Sequence, residues 1–172
     1  YVTNANTDDR HRPDSFEKML EVFLSNESTD LIYANVLQTK IPNDTFYSTS
    51  QKSQLNWIDF NPDLLLFGCF FGPQPMWKKE LHTRFGYFDE SLKVVGDYEF
   101  WLRISREANI HHINEHLGLY LYADDSAEHR DNSLTSKENI FVQEKYFCQY
   151  IKNEEDFNRV LNKLNEINKV FN

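Results

Sequence analysis

The chain has 172 residues, enough for one domain with a hydrophobic core, and its 40% hydrophobic and 15% aromatic residues are typical of a globular protein rather than a disordered one. Its formal net charge of −9 argues against a nucleic-acid partner, because nucleic-acid binding depends on lysine and arginine side chains that neutralise phosphates. The longest apolar run, residues 64–71, is far shorter than the roughly 20 residues that a membrane-spanning helix needs.

The first forty residues predict a strand, a polar loop, a helix and a second strand. Residues 1–5 are predicted to end a strand, and the polar loop Asn6-Thr7-Asp8-Asp9 follows directly. Pro13 suits the first turn of a helix, and a buried helical face is predicted from the spacing of Phe16, Met19, Leu20, Phe23 and Leu24. The β-prone run at residues 30–36 predicts the next strand. The polar loop therefore lies at the carboxyl end of a strand in an α/β unit, where open α/β sheets bind ligands.

The remaining elements predict an α/β domain that closes with two helices. Residues 37–63 are a long polar segment with Trp57 as its anchor, and residues 64–71 predict a short buried helix or strand. A strand at residues 76–79, a helical turn at 80–84, a helix at 97–108 and an extended segment at 110–122 follow. The closing helices are predicted at residues 136–152 and from the cap Asn153 onward, where the apolar stripe at 157–171 is either a core face or a partner surface. We therefore expect one domain at residues 1–172, with a core at 1–125, a loop at 126–135 and a helical tail at 136–172.

The acidic loop at residues 6–9 is the first candidate site. Adjacent carboxylates after a strand are suitable hard oxygen ligands for Mg²⁺ or Mn²⁺, which keep coordination positions open for phosphate oxygens. A bound cation would also let an acidic protein accept a phosphorylated substrate. The alternative is that Asp8 or Asp9 only caps the helix that begins near Pro13.

Asp97 is the second candidate, because it stands at the start of a helix whose apolar residues would hold it rigidly. A carboxylate fixed in that way can accept a proton from a bound hydroxyl group. The alternative is again an N-cap, with Glu99 as an acidic residue of the first turn. Arg103, further along the same helix, is expected to pair with a carboxylate inside the fold.

Tryptophans are candidate contacts for a sugar, since the apolar face of a sugar ring suits an indole. Trp57 and Trp101 are the candidates for this contact, and the alternative for Trp101, as for Trp77, is the hydrophobic core. Cys69 and Cys148 are far apart and form no metal or redox motif, so they are expected to be thiols in a reducing cytoplasm.

Four segments together resemble the family 2 glycosyltransferases. They are YVTNANTDD at residues 1–9, DLIYAN at 30–35, FGYFDE at 85–90 and DYEFWLR at 97–103, in the order and spacing of that family. The resemblance covers roughly residues 1–125. It implies a GT-A fold, a mixed sheet flanked by helices, of which this chain would be the C-terminal, acceptor-side portion with two further C-terminal helices. It also implies a nucleotide-sugar donor, a divalent metal (Mn²⁺ or Mg²⁺) and inversion at the anomeric carbon.

Carried over to this sequence, the resemblance assigns roles to the candidate residues. Asp8 matches the metal-binding carboxylate of the DxD motif, Asp9 lies beside it, and Asn6 stands where the motif usually has its first aspartate. Asp97 matches the base that deprotonates the acceptor hydroxyl, and Trp57 and Trp101 are the candidate acceptor-binding residues. His129 is a candidate metal ligand and Arg130 a candidate diphosphate contact together with Asn6 and Asp9, although a solvated loop histidine is the alternative for His129.

The resemblance predicts hexosyl transfer to a glycan, lipid-linked or protein acceptor, as in polysaccharide biosynthesis. We expect a cytoplasmic location, with peripheral membrane association through the full-length protein left open. The family's donor-binding half would precede Tyr1, so we expect a fragment that is inactive in isolation. The alternative function is a degenerate, non-catalytic module for binding or scaffolding, which Asn6 favours. A metal-dependent hydrolase is disfavoured because no close cluster of three ligands is seen in the sequence.

Overall fold

A computed structural model describes residues 1–123, 126 and 130–170, with the backbone alone for residues 168–170. The described strands form one mixed sheet in the order β1-β5-β3-β6-β2, and β4 pairs with β3 beyond the end of β5. The strands are β1 (Val2–Thr3), β2 (Arg10–His11), β3 (Leu31–Thr39), β4 (Ser53–Leu55), β5 (Met76–Trp77) and β6 (Ile110–Leu121). The pairing of β3 with β6 is parallel and the other pairings are antiparallel. The α/β class is therefore confirmed.

Helices cover both faces of this sheet. They are α1 (Ser15–Ser25), α2 (Glu80–Phe85), α3 (Gly96–Ile104), α4 (Asn132–Tyr150) and α5 (Glu154–Val170), and a 3₁₀ helix spans Leu64–Phe67. Residues 31–36 of β3 are all buried, as expected for a strand with both faces covered. None of the helices in the described part of the chain combines the length and the apolar character that a membrane crossing requires.

The side chains of β3 divide between two hydrophobic clusters. Ile32 and Ala34 pack in a small cluster with Met19 and Phe23 of α1. Leu31 and Tyr33 belong to the larger cluster on the other face, with side chains of α3, the 3₁₀ helix and α4. The period-2 alternation of a strand thus sets which helices each residue contacts.

The predicted face of α1 is only partly correct. Met19 and Phe23 are buried, whereas Phe16, Leu20 and Leu24 are exposed, because α1 packs on the sheet through the narrow stripe Ser15, Met19 and Phe23. Pro13 precedes the helix, whose N-cap is Asp14.

Of the two C-terminal helices, α4 begins earlier than predicted and α5 begins where it was predicted. Helix α4 starts at Asn132, four residues earlier than predicted, because the side chain of Asp131 caps it by accepting the N–H of Leu134 at 3.0 Å. Its residues Val142 and Tyr146 are fully buried in the larger cluster, so α4 is part of the core. Asn153 caps α5 as predicted, since its side chain accepts the N–H of Asp156 at 2.9 Å.

The apolar stripe of α5 lies partly on the core. Val160 is buried and Leu164 and Ile167 pack against the larger cluster, whereas Phe157 and Leu161 are exposed. Phe171, the last predicted member of the stripe, lies outside the described residues.

Candidate functional site

A cleft of about 760 Å³ opens between the loop after β1, the carboxyl end of β6 and the beginning of α3. It is lined by five of the residues singled out in the sequence: Asn6, Asp8, Asp9, Trp57 and Asp97. Thr135 and Asn139 of α4 also line it. Segments up to about 130 residues apart in sequence therefore meet at one site, at the edge of the sheet where α/β proteins bind ligands.

Asp9 anchors the acidic loop to the sheet. Its side chain is buried, its Oδ1 accepts the N–H of Leu121 in β6 at 2.9 Å, and its Oδ2 accepts a hydrogen bond from Nδ2 of Asn6 at 2.9 Å. Burial raises the pKa of Asp9 above its ordinary value, outweighing these two hydrogen bonds, which act in the opposite direction. Both oxygens are engaged within the protein, so Asp9 shapes the loop, and its predicted contact with a diphosphate stays a prediction.

The hydrogen bond between Asn6 and Asp9 explains why asparagine suits position 6. A carboxylate only accepts hydrogen bonds, so Asn6 must present its amide nitrogen to Asp9, which leaves its Oδ1 as the group available elsewhere. An aspartate at position 6 would place a second carboxylate against the buried Asp9, and the two negative charges would repel each other. Asn6 and Asp8 are both exposed at the cleft.

The proposed capping roles of the acidic loop are wrong. The N-cap of α1 is Asp14, and Asp8 and Asp9 precede it by five residues or more. Capping of α1 therefore does not explain why the loop has aspartates at positions 8 and 9.

The exposed oxygens at this loop could hold a divalent metal ion only together with further ligands. Among the described residues, no group of three or more histidine, cysteine, aspartate or glutamate side chains could hold a metal ion by itself. The Asp8 carboxylate and Oδ1 of Asn6 are hard oxygen donors, and Mg²⁺ or Mn²⁺ is commonly held by one or two carboxylates with water and phosphate oxygens completing the shell.

The two other residues predicted near the diphosphate are His129 and Arg130. His129, the further predicted ligand, lies outside the described residues. Arg130 is exposed and is not among the described residues that line the cleft.

Asp97 occupies the second position of α3. The N-cap of that helix is Val95, so the capping alternative for Asp97 is wrong. Its Oδ1 accepts the N–H of Tyr98 at 2.7 Å, and the helix N-terminus favours a negative charge at this place. Phe100 and Trp101, which follow on the same helix, are completely buried, so the carboxylate stands on a rigid support.

The predicted pairing of Arg103 is confirmed. It forms an ion pair with Glu99, and its Nη1 donates to the carbonyl oxygens of Phe85 at 2.7 Å and Tyr87 at 3.0 Å. Two of the sequence segments that carry the family resemblance, 85–90 and 97–103, are thus joined by one side chain.

Two buried carboxylates make contacts that were not predicted from the sequence. Glu99 is buried and also accepts hydrogen bonds from Lys145 and Tyr146 of α4, at 2.9 and 2.6 Å. Glu138 of α4 is buried and accepts three backbone N–H groups of residues 93–95. The i, i+4 spacing of Glu99 and Arg103 was a usable signal for the first, whereas no sequence pattern links Glu138 to its partners.

The tryptophans divide between the cleft and the core. Trp57 is half-buried and lines the cleft with Tyr120 and Tyr122, and its backbone N–H donates to Oδ1 of Asn35 at 2.8 Å. Trp101 is completely buried and packs edge-on against the buried Trp77 at 5.1 Å between ring centroids. Trp101 therefore belongs to the core, and its candidate role as an acceptor contact is wrong because a bound sugar could not reach it.

The two cysteines are exposed thiols and form no disulfide. Cys69 lines the cleft, and Cys148 lies on α4.

Comparison with known proteins finds a similarity over about two thirds of the chain. Over 119 residues, 68% of this chain, the sequence is 25% identical to a Bacillus subtilis (strain 168) protein named uncharacterized glycosyltransferase YwdF. The chain is similar to a glycosyltransferase. The matched part is 43% of YwdF, so the chain spans less than half the length of this relative. No protein-family model matches the chain.

Proposed function

We propose that this chain forms the acceptor-side part of a glycosyltransferase that transfers a sugar from a nucleotide-sugar to an acceptor hydroxyl group. The observation that carries the proposal is the single cleft that holds Asp97 at the start of α3 together with Asp8 and Asn6 at the acidic loop. The similarity to YwdF supports glycosyl transfer in general. The motif order supports an inverting enzyme of family 2 with a GT-A fold, of the hexosyltransferase type.

Asp97 is the catalytic base of the proposed reaction. Its carboxylate takes the proton of the acceptor hydroxyl while that oxygen forms a bond to the anomeric carbon of the donor sugar. The bond from this carbon to the diphosphate oxygen breaks in line, and its electron pair leaves with the nucleoside diphosphate. Attack from the opposite side inverts the configuration. The buried face of α3 supports this role because it fixes the position of the base.

Asp8 and Oδ1 of Asn6 are the proposed ligands of a divalent metal. The described residues that line the cleft include three aspartates and no lysine, arginine or histidine, so a diphosphate would be repelled from the bare site. When bound, Mn²⁺ or Mg²⁺ would neutralise the negative charge that develops on the departing diphosphate. Asp9 keeps the loop against β6, and Asn6 relieves the repulsion that a third loop carboxylate would add.

The acceptor that best fits the cleft is a neutral, hydroxyl-rich molecule such as a glycan. Trp57, Tyr120 and Tyr122 offer aromatic surface to the apolar faces of sugar rings. The absence of cationic side chains among the described lining residues disfavours an acceptor that carries phosphate or carboxylate groups close to Asp97.

A second candidate is a non-catalytic binding or scaffolding module. Two observations favour it: asparagine at position 6, and the lack of a three-ligand metal cluster among the described residues. This module would bind a sugar or nucleotide without turnover.

Asp97→Asn in the full-length protein tests the proposal. Transfer should be lost while nucleotide-sugar binding stays nearly intact, because asparagine keeps the shape but cannot accept the proton. The assay measures nucleoside diphosphate released from a panel of UDP- and GDP-sugars with Mn²⁺, and calorimetry measures binding. Asp131→Asn is the matched control, since asparagine caps a helix as well as aspartate does. Full turnover in Asp97→Asn would remove Asp97 as the base.

Asp8→Ala separates the two candidate functions. Calorimetric titration of the full-length protein with Mn²⁺ and a nucleoside diphosphate should give much weaker binding in the variant than in the wild type. Binding that is indifferent to the substitution, in a wild type without turnover, favours the non-catalytic module.

A further inference from the structure

The connection that leads into α3 is held by a side chain of another helix. Glu138 of α4 is 8% exposed. Its Oε1 accepts the N–H of Lys93 at 2.9 Å, and its Oε2 accepts those of Val94 at 2.9 Å and Val95 at 3.2 Å. Three consecutive backbone donors on one carboxylate form an anion-binding arrangement that is filled from within the protein.

The charge of Glu138 is stabilised by these donors. Burial alone would raise the pKa of Glu138, but the backbone N–H groups of residues 93–95 together outweigh burial, and the pKa lies below its ordinary value. The side chain therefore remains a carboxylate at neutral pH, able to accept all three hydrogen bonds at once.

Residues 93–95 are the immediate support of Asp97. Val95 is the N-cap of α3, and Gly96 and Asp97 are its first two residues. Val94 and Val95 line the same cleft as Asp97. A shift of residues 93–95 would therefore move the first turn of α3, and with it the Asp97 carboxylate.

Helix α4 also lines the cleft, through residues on either side of Glu138. Thr135 and Asn139, three residues before and one residue after Glu138, line the cleft. Further along, Lys145 and Tyr146 bond to Glu99, and the hydroxyl of Tyr150 donates to the carbonyl of Leu102 at 2.8 Å. Because these contacts hold α3 from Glu99 onward, loss of Glu138 would loosen residues 93–97 while the rest of the helix stays docked.

We propose that Glu138 is a positioning residue for the base Asp97, so that α4 is part of the catalytic unit. This inference rests on the proposed function, in which Asp97 takes the acceptor proton. Glu138 contacts backbone groups and does not itself line the cleft among the described residues. It acts by fixing where the carboxylate of Asp97 lies relative to the acceptor hydroxyl.

Glu138→Gln in the full-length protein tests the inference by kinetics. Glutamine keeps the size of the side chain but has one acceptor oxygen and turns an amide N–H toward the backbone donors. Nucleoside diphosphate release from a UDP- or GDP-sugar should fall about 10- to 100-fold in kcat, the cost of a misplacement near 1 Å, with the donor KM unchanged. Glu144→Gln, an exposed glutamate of the same helix, is the charge-matched control and should keep wild-type kcat.

A stability-matched variant separates positioning from folding. Val160→Ala truncates a buried side chain of α5, a helix that contributes no residue to the described lining of the cleft. If it lowers the melting temperature as much as Glu138→Gln and lowers kcat equally, the positioning role is overturned. An unchanged kcat in Glu138→Gln also overturns it.

A wild type that releases no nucleoside diphosphate would refute the proposed function. The inference is then tested by NMR of the backbone amides of this chain. Glu138→Gln should speed the hydrogen exchange of the Val94 and Val95 amides and shift the amide resonance of Tyr98, which bonds to Asp97. An unshifted Tyr98 amide contradicts positioning of Asp97 by Glu138.

Discussion

Replacing Glu99 by glutamine should destabilise the protein by removing the charged centre between α3 and α4. The Glu99 side chain is 2% exposed and bonds to Arg103, Lys145 and Tyr146. Breaking a fully buried ion pair costs about 3–5 kcal/mol, but the side chains of Arg103 and Lys145 are 23% and 42% exposed and glutamine keeps one acceptor oxygen, so we expect about 2–3 kcal/mol at pH 7.

The loss should also depend on pH. Burial would raise the pKa of Glu99, yet the hydrogen bonds from Arg103, Tyr146 and Lys145 outweigh burial and lower the pKa below its ordinary value of 4.5. A lowered pKa in the folded state means that the stabilisation is fully present above pH 4.5 and is lost as the pH falls through the lower, folded-state value. The difference between wild type and variant should therefore shrink below pH 4.5.

Urea unfolding at pH 7 and at several acidic pH values measures both effects. Glu144→Gln on the exposed side of α4 is the matched control and should change the free energy of unfolding by less than about 0.5 kcal/mol. A loss in Glu99→Gln that is below about 0.5 kcal/mol at pH 7, or that stays constant down to acidic pH, would refute the assignment of Glu99 as an ionised, paired carboxylate.

Two further predictions concern local structure near the cleft. Gly72 has a φ of +68°, and an added Cβ would lie 2.9 Å from Nε1 of Trp57, so Gly72→Ala should cost about 1–2 kcal/mol in urea unfolding and increase the quenching of tryptophan fluorescence by acrylamide. Gly68→Ala, where a Cβ meets nothing within 4 Å, is the control and should leave both unchanged; equal effects would contradict the contact with Trp57. Asp131→Ala should destabilise α4 by about 1 kcal/mol through loss of its N-cap, measured by urea unfolding, and an unchanged midpoint would argue against a helix start at Asn132.

Elements with a strong apolar pattern were predictable and short ones were not. Residues 30–36 and the alternating stretch at 110–122 correspond to β3 and β6, the central parallel pair. The strands Arg10–His11 and Ser53–Leu55 are too short to show a period of two, so the sequence gives no sign of them. The start of α4 was missed because its first turn is polar and its signal is only the cap at Asp131.

The residues of the candidate site were predictable from the sequence, but the role of each residue was not. The motif order singled out Asn6, Asp8, Asp9 and Asp97, which line one cleft. Asp8 and Asp9 are chemically identical neighbours in the sequence, and only burial distinguishes the exposed Asp8 from the anchored Asp9.

The sequence by itself determined the α/β class, the helix that carries Asp97 and the resemblance to glycosyltransferases, since local periodicity and ordered motifs encode each of them. The tertiary structure decided that α4 belongs to the site. Glu138 bonds to backbone groups 43 to 45 residues away. Backbone N–H groups are the same at every residue except proline, so no side-chain pattern could reveal that partnership, and only the folded chain brings the two segments together.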